Sequence, residues 1–253
     1  MVGLLTITNL TGQEFLILTV IVVVAGIVRG FSGFALSALV MASGVLILPP
    51  IELIPICWCL EMVASILMAK SGWQEADRGV VFGLVIGSAV GVPIGLALLT
   101  TLPVETSKLI VLAIIIVLAM TQLAKIRLAF LATKAGLYLS GLVAGIVTGV
   151  AHVGGMVVAL YVLSQNAPAA KMRAALVLYL FISMFTSLVY YILADVMNMQ
   201  AVWRGLAFAA PAALGVWLGQ QLFMPRFAAY YRPFCLSLLC ALAVISAVRT
   251  QAT

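Results

Sequence analysis

Apolar residues occur in this chain as long, nearly uninterrupted runs, and most of the few charged residues lie in the short stretches between them. The run LIVLAIIIVLAM, residues 109–120, is apolar on every side, whereas a membrane-spanning strand would alternate apolar and polar positions. Within a lipid bilayer, a helix satisfies its own backbone hydrogen-bonding groups. The pattern therefore predicts an all-α, polytopic integral membrane protein.

The apolar runs divide into ten helical segments, five in each half of the chain. The first two segments of each half are short for a complete crossing, which takes about 20 residues. We therefore expect them to form short paired helices. The ten predicted segments are 14–29, 31–48, 51–69, 80–100, 104–124, 135–148, 150–165, 174–194, 201–222 and 233–248.

The two halves of the chain resemble each other in sequence. The stretch AGIVRGFSGFA begins at Ala25, and AGIVTGVAHVGG begins 119 residues later, at Ala144. The same spacing aligns Pro49 with Pro168, and further on VGVPIGLAL in the first half corresponds to ALGVWLGQQL in the second. We therefore predict one membrane domain, 1–253, built from a duplicated unit at about 14–126 and 134–253.

The distribution of basic residues predicts the orientation of the segments, because loops rich in Lys and Arg face the cytoplasm. If the segments alternate in direction, only Lys108, Arg204 and Arg249 fall on the external side. Five segments per unit is an odd number, so the second unit enters the membrane upside down, as an inverted repeat of the kind found in secondary transporters. The residues on the predicted cytoplasmic side are Lys70, Arg78, Lys125, Arg127, Lys134, Lys171, Arg173, Arg226 and Arg232.

Composition supports the membrane assignment and excludes other classes of protein. Of the 253 residues, 65% are hydrophobic and 8% are charged, which is too apolar for a soluble domain of this length. The net charge of +6 comes from scattered basic residues, so we expect no nucleic-acid partner. No basic residue precedes the first apolar run, so we expect no cleavable signal peptide.

The residues with reactive side chains do not indicate an enzyme. The chain has one histidine, and its four cysteines have neither CxxC spacing nor a histidine nearby in sequence. We therefore expect no catalytic site, metal or cofactor, and interpret the cysteines as small buried apolar residues. These cysteines are Cys57, Cys59, Cys235 and Cys240.

The glycine-rich motifs interrupt apolar segments and are the main candidates for function. Glycine allows positive φ and close backbone approach, which a turn between two helices requires. The second helix of each pair would then direct free backbone N–H groups and its positive dipole end towards an anion. Close helix packing is the alternative role for these glycines, and we favour it for Gly91 and Gly95.

Four side chains near the motifs have candidate roles. Arg29 binds a substrate anion or extends to the membrane interface. Ser32 donates a hydrogen bond to substrate or caps the following helix. His152 binds an anion, carries a coupling proton or is structural. Glu61 lies within a spanning segment, where it either couples protons or pairs with Arg29 or Lys171.

The duplicated motifs, each followed about fifteen residues later by a proline, together with GVPIGLALLTTLP at residues 91–103, resemble the TauE/SafE family of sulfite and organosulfonate exporters. The resemblance implies a polytopic inner-membrane transporter with about eight spanning helices that moves small, often sulfur-containing anions. The Thr-Ser pair that often follows the motif proline in that family is replaced by CWCLE and ALVLY, which leaves a larger organic anion open. The residues that match the family motifs are Gly26, Gly30, Gly33, Pro49, Gly145, Gly149, Gly154, Gly155 and Pro168.

We therefore expect a secondary transporter of small anions in the lipid membrane, in the bacterial inner membrane, with sulfite or organosulfonate as substrate. The substrate would bind near the midplane between the two motifs, and Glu61 or His152 would serve proton coupling. An anion channel and a membrane thiol-redox protein are the alternatives, and the oligomeric state is left open. The candidate substrate-binding residues are Arg29, Gly30, Ser32, Gly33, Phe34, His152, Gly154 and Gly155.

Overall fold

The computed structural model describes residues 8–126, 129–165, 168–222 and 228–252, and within these ranges it contains helices and no strand. This confirms the all-α prediction. Arg127 and Arg226, which the topology argument uses, lie outside the described ranges. The helices are α1 Gly12–Ser32, α2 Leu36–Gly44, α3 Pro50–Glu75, α4 Arg78–Thr101, α5 Val104–Leu123, α6 Lys134–Ala151, α7 Gly154–Ser164, α8 Ala169–Leu193, α9 Met199–Ala207, α10 Ala209–Gln221 and α11 Ala228–Ala252, with a 3-10 turn at Ala129–Ala132.

The described helices include enough long apolar ones to cross a membrane repeatedly. Six of them qualify by length and composition, and α9 with α10 makes a seventh if this bent pair is one span. Helix α7, Gly154–Ser164, and the Cys235–Gln251 part of α11 are apolar but shorter. The chain is therefore a polytopic membrane protein, and the family resemblance implied a similar number of spans.

The expectation of two short helices per pair is wrong for the first helix of each pair. Helix α1 has 21 residues and α6 has 18, whereas α2 has 9 and α7 has 11. The predicted first segment ends at Arg29. The helix instead continues to Ser32, since Arg29 is buried among protein groups that hydrogen-bond it.

Helix bounds recur along the chain with the spacing seen in the sequence. Helix α1 ends at Ser32 and α6 ends at Ala151, which are 119 residues apart. Helix α3 begins at Pro50 and α8 begins at Ala169, again 119 residues apart. Each half therefore begins in the same order: a long helix, a short helix and then another long helix.

Helices α3 and α8, which correspond under this spacing, pack against each other in opposite directions. Glu52 near the start of α3 and Asp195 just after α8 line one cavity. Glu75 at the end of α3 and Lys171 near the start of α8 line another. Between them, the indole N–H of Trp58 donates a 3.0 Å hydrogen bond to a backbone carbonyl of α8. The pair is therefore antiparallel.

Two other helix pairs cross between the halves and meet through glycine. A Cβ atom on Gly30 of α1 would lie 2.8 Å from the Cα of Gly219 on α10. Likewise, a Cβ atom on Gly149 of α6 would lie 2.8 Å from the carbonyl carbon of Gly95 on α4. The absence of side chains lets these backbones approach closely, which confirms packing as the role of Gly95.

The predicted segment 201–222 is divided in the structure. Helices α9 and α10 are bent by 43° at a break next to Phe208. Pro211 lies in the first turn of α10, where its missing N–H cannot continue the hydrogen bonds of α9. Phe208 is fully buried and stacks on Phe15 of α1 with ring centroids 4.9 Å apart, so packing against α1 fixes the bend.

Candidate functional site

The first glycine motif forms a turn between α1 and α2. Gly33 ends α1 in the left-handed conformation with φ of 83°, and its N–H donates to the carbonyl of Arg29 at 2.9 Å. Ala35 follows with φ of 77° and precedes α2. These two left-handed residues, on either side of Phe34, separate α1 from α2. Glycine suits the position of Gly33 because a residue with a side chain would be strained in this left-handed conformation.

Ser32 stabilises this turn and does not cap α2. Its hydroxyl donates to the carbonyl of Phe34 at 2.7 Å and accepts from the N–H of Phe34 at 3.3 Å. Helix α2 has no side-chain cap at its N-terminus, so the capping interpretation is wrong. Phe34 itself is buried in the core, and Gly30 packs on the backbone of α10.

Arg29 lies in a fully buried hydrogen-bonded network beneath the turn. Its Nε donates to an Oε2 atom of Glu61 at 2.9 Å, and the exposed fractions of the two side chains are 0% and 4%. Its guanidinium also donates to Ser65 Oγ at 3.2 Å and to the carbonyl of Gly33. Arg29 therefore does not extend to the membrane interface. Glu61 pairs with Arg29 and not with Lys171, the other partner considered in the sequence analysis.

The N-terminus of α2 completes the surroundings of Glu61. The hydroxyl of Ser37 donates to Glu61 Oε1 at 3.0 Å, and the backbone N–H of the same serine lies 3.4 Å from that oxygen. Ser37 is in the first turn of α2, where backbone N–H groups have no partner within the helix. The short helix thus directs its N-terminus at an anion, and that anion is a side chain of the protein.

Arg173 reaches the same turn from the other half of the protein. It lies in the first turns of α8 and donates to the carbonyl of Gly30 at 2.6 Å. A Cβ atom on Gly33 would lie 2.9 Å from Cγ of Arg173, so the turn and this side chain are in close contact. A second cation is therefore held next to the turn, close enough to Arg29 to interact with its charge.

The second motif makes a matching turn between α6 and α7. His152 ends α6 in the left-handed conformation, with φ of 53°, and its N–H donates to the carbonyl of Thr148 at 2.9 Å. The hydroxyl of Tyr191 donates to the same carbonyl at 3.2 Å and lies 2.9 Å from Nδ1 of His152. The phenol oxygen of Tyr191 is therefore within hydrogen-bonding distance of both the Thr148 carbonyl and the His152 imidazole.

The glycines of the second motif lie in close packing around its turn. A Cβ atom on Gly154 would meet Thr148 and Ala144 of α6, and one on Gly155 would lie 3.2 Å from Leu180 of α8. Both residues are buried. The two motifs are electrostatically connected, because the charge of Glu61 acts on His152 across the core.

Several polar groups in this region were missed in the sequence analysis. They are buried hydroxyl residues within apolar helices, and each hydrogen-bonds to another polar group near a motif. The only sign of them in the sequence was a polar residue within an apolar run. Because serine and tyrosine are common in membrane helices, these four residues could not be singled out before their hydrogen-bonding partners were known. They are Ser37, Ser65, Tyr191, and Tyr179, whose hydroxyl donates to Ser88 Oγ at 3.0 Å.

Two cavities that include charged side chains lie at opposite ends of the antiparallel α3–α8 pair. One has a volume of about 430 Å³ and contains Arg204, which bonds to Glu52 at its wall. The other has a volume of about 460 Å³ and is lined by Lys171, Glu75 and Asp77. We call them the Arg204 cavity and the Lys171 cavity. Neither is lined by the buried groups of the two turns, which lie in the packed core between the two ends.

The side chains that could ligate a metal are dispersed in the described part of the chain. No group of three or more His, Cys, Asp or Glu side chains there is arranged to hold a metal ion. The four cysteines are free thiols, three buried and one partly exposed.

Comparison with known proteins identifies the family. Neither a curated protein nor a solved structure gives a significant match to the chain. The sequence profile described as sulfite exporter TauE/SafE matches residues 18–245, nearly the whole chain and both glycine motifs. The protein thus belongs to the TauE/SafE sulfite exporter family of membrane transporters.

Proposed function

We propose that the protein is a secondary transporter that moves small sulfur oxyanions, sulfite or organosulfonates, across the bacterial inner membrane by alternating access. The buried Arg29–Glu61 pair beside the first turn is the observation that carries this proposal. An ionised pair at membrane depth is unfavourable for folding unless it is fully hydrogen-bonded, and such residues in membrane segments mark substrate and ion pathways.

The proposed substrate site lies between the two turns. Arg29 and the N-terminus of α2 provide positive charge on one side, and His152 with Tyr191 provides polar groups on the other. Gly33, Gly154 and Gly155 shape the turns. Glu61, with His152 as the second candidate, takes up the coupling proton.

The proposed transport path connects the Arg204 cavity and the Lys171 cavity through this site. Antiparallel packing of α3 and α8 supports an inverted-repeat arrangement, in which the two cavities occupy equivalent positions on opposite sides of the membrane. The predicted cytoplasmic side, by the distribution of basic residues, is that of Lys171. The structure then corresponds to a closed state, since the groups of the site are buried between the cavities.

Uptake into proteoliposomes tests the proposed function. The purified protein is reconstituted, and the entry of radiolabelled sulfite and of labelled methanesulfonate is measured with and without an imposed proton gradient. Saturable uptake that the gradient drives to concentrations above those outside is the expected result. Uptake that does not saturate and only equilibrates would indicate a passive channel, and no uptake by folded, inserted protein would reject sulfur oxyanions as substrates.

A further inference from the structure

The carboxylate of Glu61 is surrounded by donors from two helices. Its Oε2 accepts from Nε of Arg29 at 2.9 Å, and its Oε1 accepts from the hydroxyl of Ser37 at 3.0 Å, with the backbone N–H of Ser37 at 3.4 Å. A guanidinium, a hydroxyl and the N–H groups of a helix N-terminus are the groups that proteins use to bind free oxyanions. Glu61 therefore occupies what is chemically an oxyanion site.

The fold does not need this ion pair to form its helix turns. At the corresponding positions of the second half, Thr148 stands in place of Arg29 and Leu180 in place of Glu61, and the α6–α7 turn forms with the same left-handed helix end. Buried ion pairs are also weak contributors to stability compared with apolar groups of similar size. The pair thus serves something other than the architecture of the turn.

We infer that Arg29, Ser37 and Ser65 form the oxyanion-binding pocket of the transporter, and that Glu61 fills it as a resident anion until protonation of Glu61 lets the substrate anion replace its carboxylate. This inference rests on the proposed function and assigns its binding site. Ser65 contributes by accepting a hydrogen bond from Arg29 at 3.2 Å, which fixes the plane of the guanidinium.

Charge balance determines when the substrate anion replaces the Glu61 carboxylate. One guanidinium in a buried site cannot neutralise both the Glu61 carboxylate and a substrate anion, so the two exclude each other. When Glu61 takes one proton from the aqueous phase, its carboxylate becomes neutral and the donors of Arg29 and Ser37 turn to the substrate. When the anion leaves, Glu61 releases that proton and pairs with Arg29 again. One proton thus moves with each anion.

The same balance selects the charge of the substrate. The ion pair has no net charge, and the pocket with protonated Glu61, Arg29 and a monoanion also has none. A dianion would leave a net negative charge in the buried core, which is strongly unfavourable. The pocket therefore fits hydrogensulfite and organosulfonate monoanions better than sulfate.

Other charged and titratable groups near Glu61 modulate this exchange. Arg173 on α8 lies close to Arg29 and strengthens the positive potential of the pocket. On α9, Arg204 bonds to Glu52 at the far end of α3, and the α10 residues Ala209–Gln221 include no titratable side chain. On α5, Lys108 and Glu105 pair with each other near the helix start. The charged group in contact with Glu61 is Arg29 from α1, and the charge of Glu61 in turn acts on His152 of the α6–α7 turn and on Cys57 of α3.

The test compares sulfite binding to the wild-type protein and to Glu61→Gln as a function of pH. Both proteins meet the same ionisation of sulfite in solution, so the ratio of their dissociation constants reports Glu61 alone. In the variant the pocket has no competing carboxylate. As pH rises, we expect the wild type to bind sulfite more weakly than the variant does. Once the Glu61 carboxyl is ionised, the ratio of the wild-type dissociation constant to that of the variant should increase by about tenfold per pH unit.

Two further measurements identify the pocket. In the Glu61→Gln background, where no carboxylate competes for this donor, Ser37→Ala should weaken sulfite binding by about tenfold, because a hydrogen bond to a charged group is lost. Ser140→Ala is the matched control, since Ser140 is a buried serine of α6 whose hydroxyl makes no hydrogen bond among the described residues. Methanesulfonate should compete with labelled sulfite, and sulfate should compete far less.

Each outcome bears on the inference. A ratio that does not change with pH, or loss of sulfite binding in Glu61→Gln, would overturn it while leaving transport by the wild type intact. Equal effects of Ser37→Ala and Ser140→Ala would also overturn it. A wild-type protein without saturable uptake of any of these anions would instead reject the proposed function and the inference together.

Discussion

Gly33 and His152 lie 119 residues apart and end their helices in the same left-handed backbone conformation, with φ of 83° and 53°. In both turns the residue donates its N–H to the carbonyl four positions earlier, at 2.9 Å. The first position has no side chain, whereas the second has an imidazole that meets Tyr191. The turn therefore requires the left-handed backbone conformation, whereas the side chain at this position is available for a chemical role.

The two turns can be tested with a pair of substitutions. His152→Gly relieves the left-handed backbone strain but removes a buried imidazole that hydrogen-bonds Tyr191, so it should cost about 1–3 kcal/mol net. Gly33→Ala should cost about 1–2 kcal/mol from left-handed strain, besides the contact with Arg173. Thermal unfolding in detergent measures both. A His152→Gly protein that is folded but inactive assigns its function to the imidazole, and one with normal transport removes His152 from the site.

Close helix packing predicts a second stability effect. Gly30→Ala and Gly149→Ala should each destabilise the protein by about 1–3 kcal/mol, because the new methyl group meets the backbone of a neighbouring helix. Gly79→Ala is the control, since its nearest neighbour would be a side-chain oxygen of Asp77 at 3.4 Å. Comparable unfolding temperatures for all three variants would contradict the packing role.

The Arg29–Glu61 pair predicts a non-additive double substitution. Arg29→Leu alone leaves a buried carboxylate without its partner, and the loss should be about 3–5 kcal/mol. Adding Glu61→Leu removes both charges and should restore stability to that of the wild type or above it. Chemical unfolding measures the cycle, and transport should be absent from the double variant despite its stability. A double variant that still transports would remove both residues from the site.

Substitution of Tyr191 should lower the stability of the protein by a smaller amount, through the second turn alone. Tyr191→Phe removes the hydroxyl shared by His152 and the Thr148 carbonyl, and it should cost about 1–3 kcal/mol because buried polar groups are left without partners. Tyr138→Phe provides the control, since half of the Tyr138 side chain is exposed. If the two variants unfold alike, the hydrogen bonds of Tyr191 contribute nothing to the fold.

Antiparallel α3 and α8 predict opposite accessibility of the two cavities. In a protein without its native cysteines, a single cysteine at Asn198 lines the Arg204 cavity and one at Lys171 lines the other. A membrane-impermeant thiol reagent should label Lys171→Cys only from the cytoplasmic side and Asn198→Cys only from the external side. Labelling of both from one side would contradict the inverted-repeat arrangement.

The helical membrane class and the positions of both turns followed from the sequence by itself. Apolar runs without alternation leave helices as the structure that satisfies the backbone in lipid, and the spacing of 119 residues between the motifs recurs in the helix bounds. Glycine at Gly33 marked a turn because few other residues accept its backbone conformation. These features depend on local chemistry and on periodicity, which a single sequence displays directly.

The partners of the polar groups were decided only by the tertiary structure. Arg29 and Glu61 were each recognised as intramembrane charges, yet their pairing and the donors of Ser37 and Ser65 depend on how α1, α2 and α3 pack. The extension of α1 to Ser32 has the same cause, since a charge stabilised by buried partners does not end a helix. A sequence shows which groups need partners, and only packing across the chain shows which groups meet.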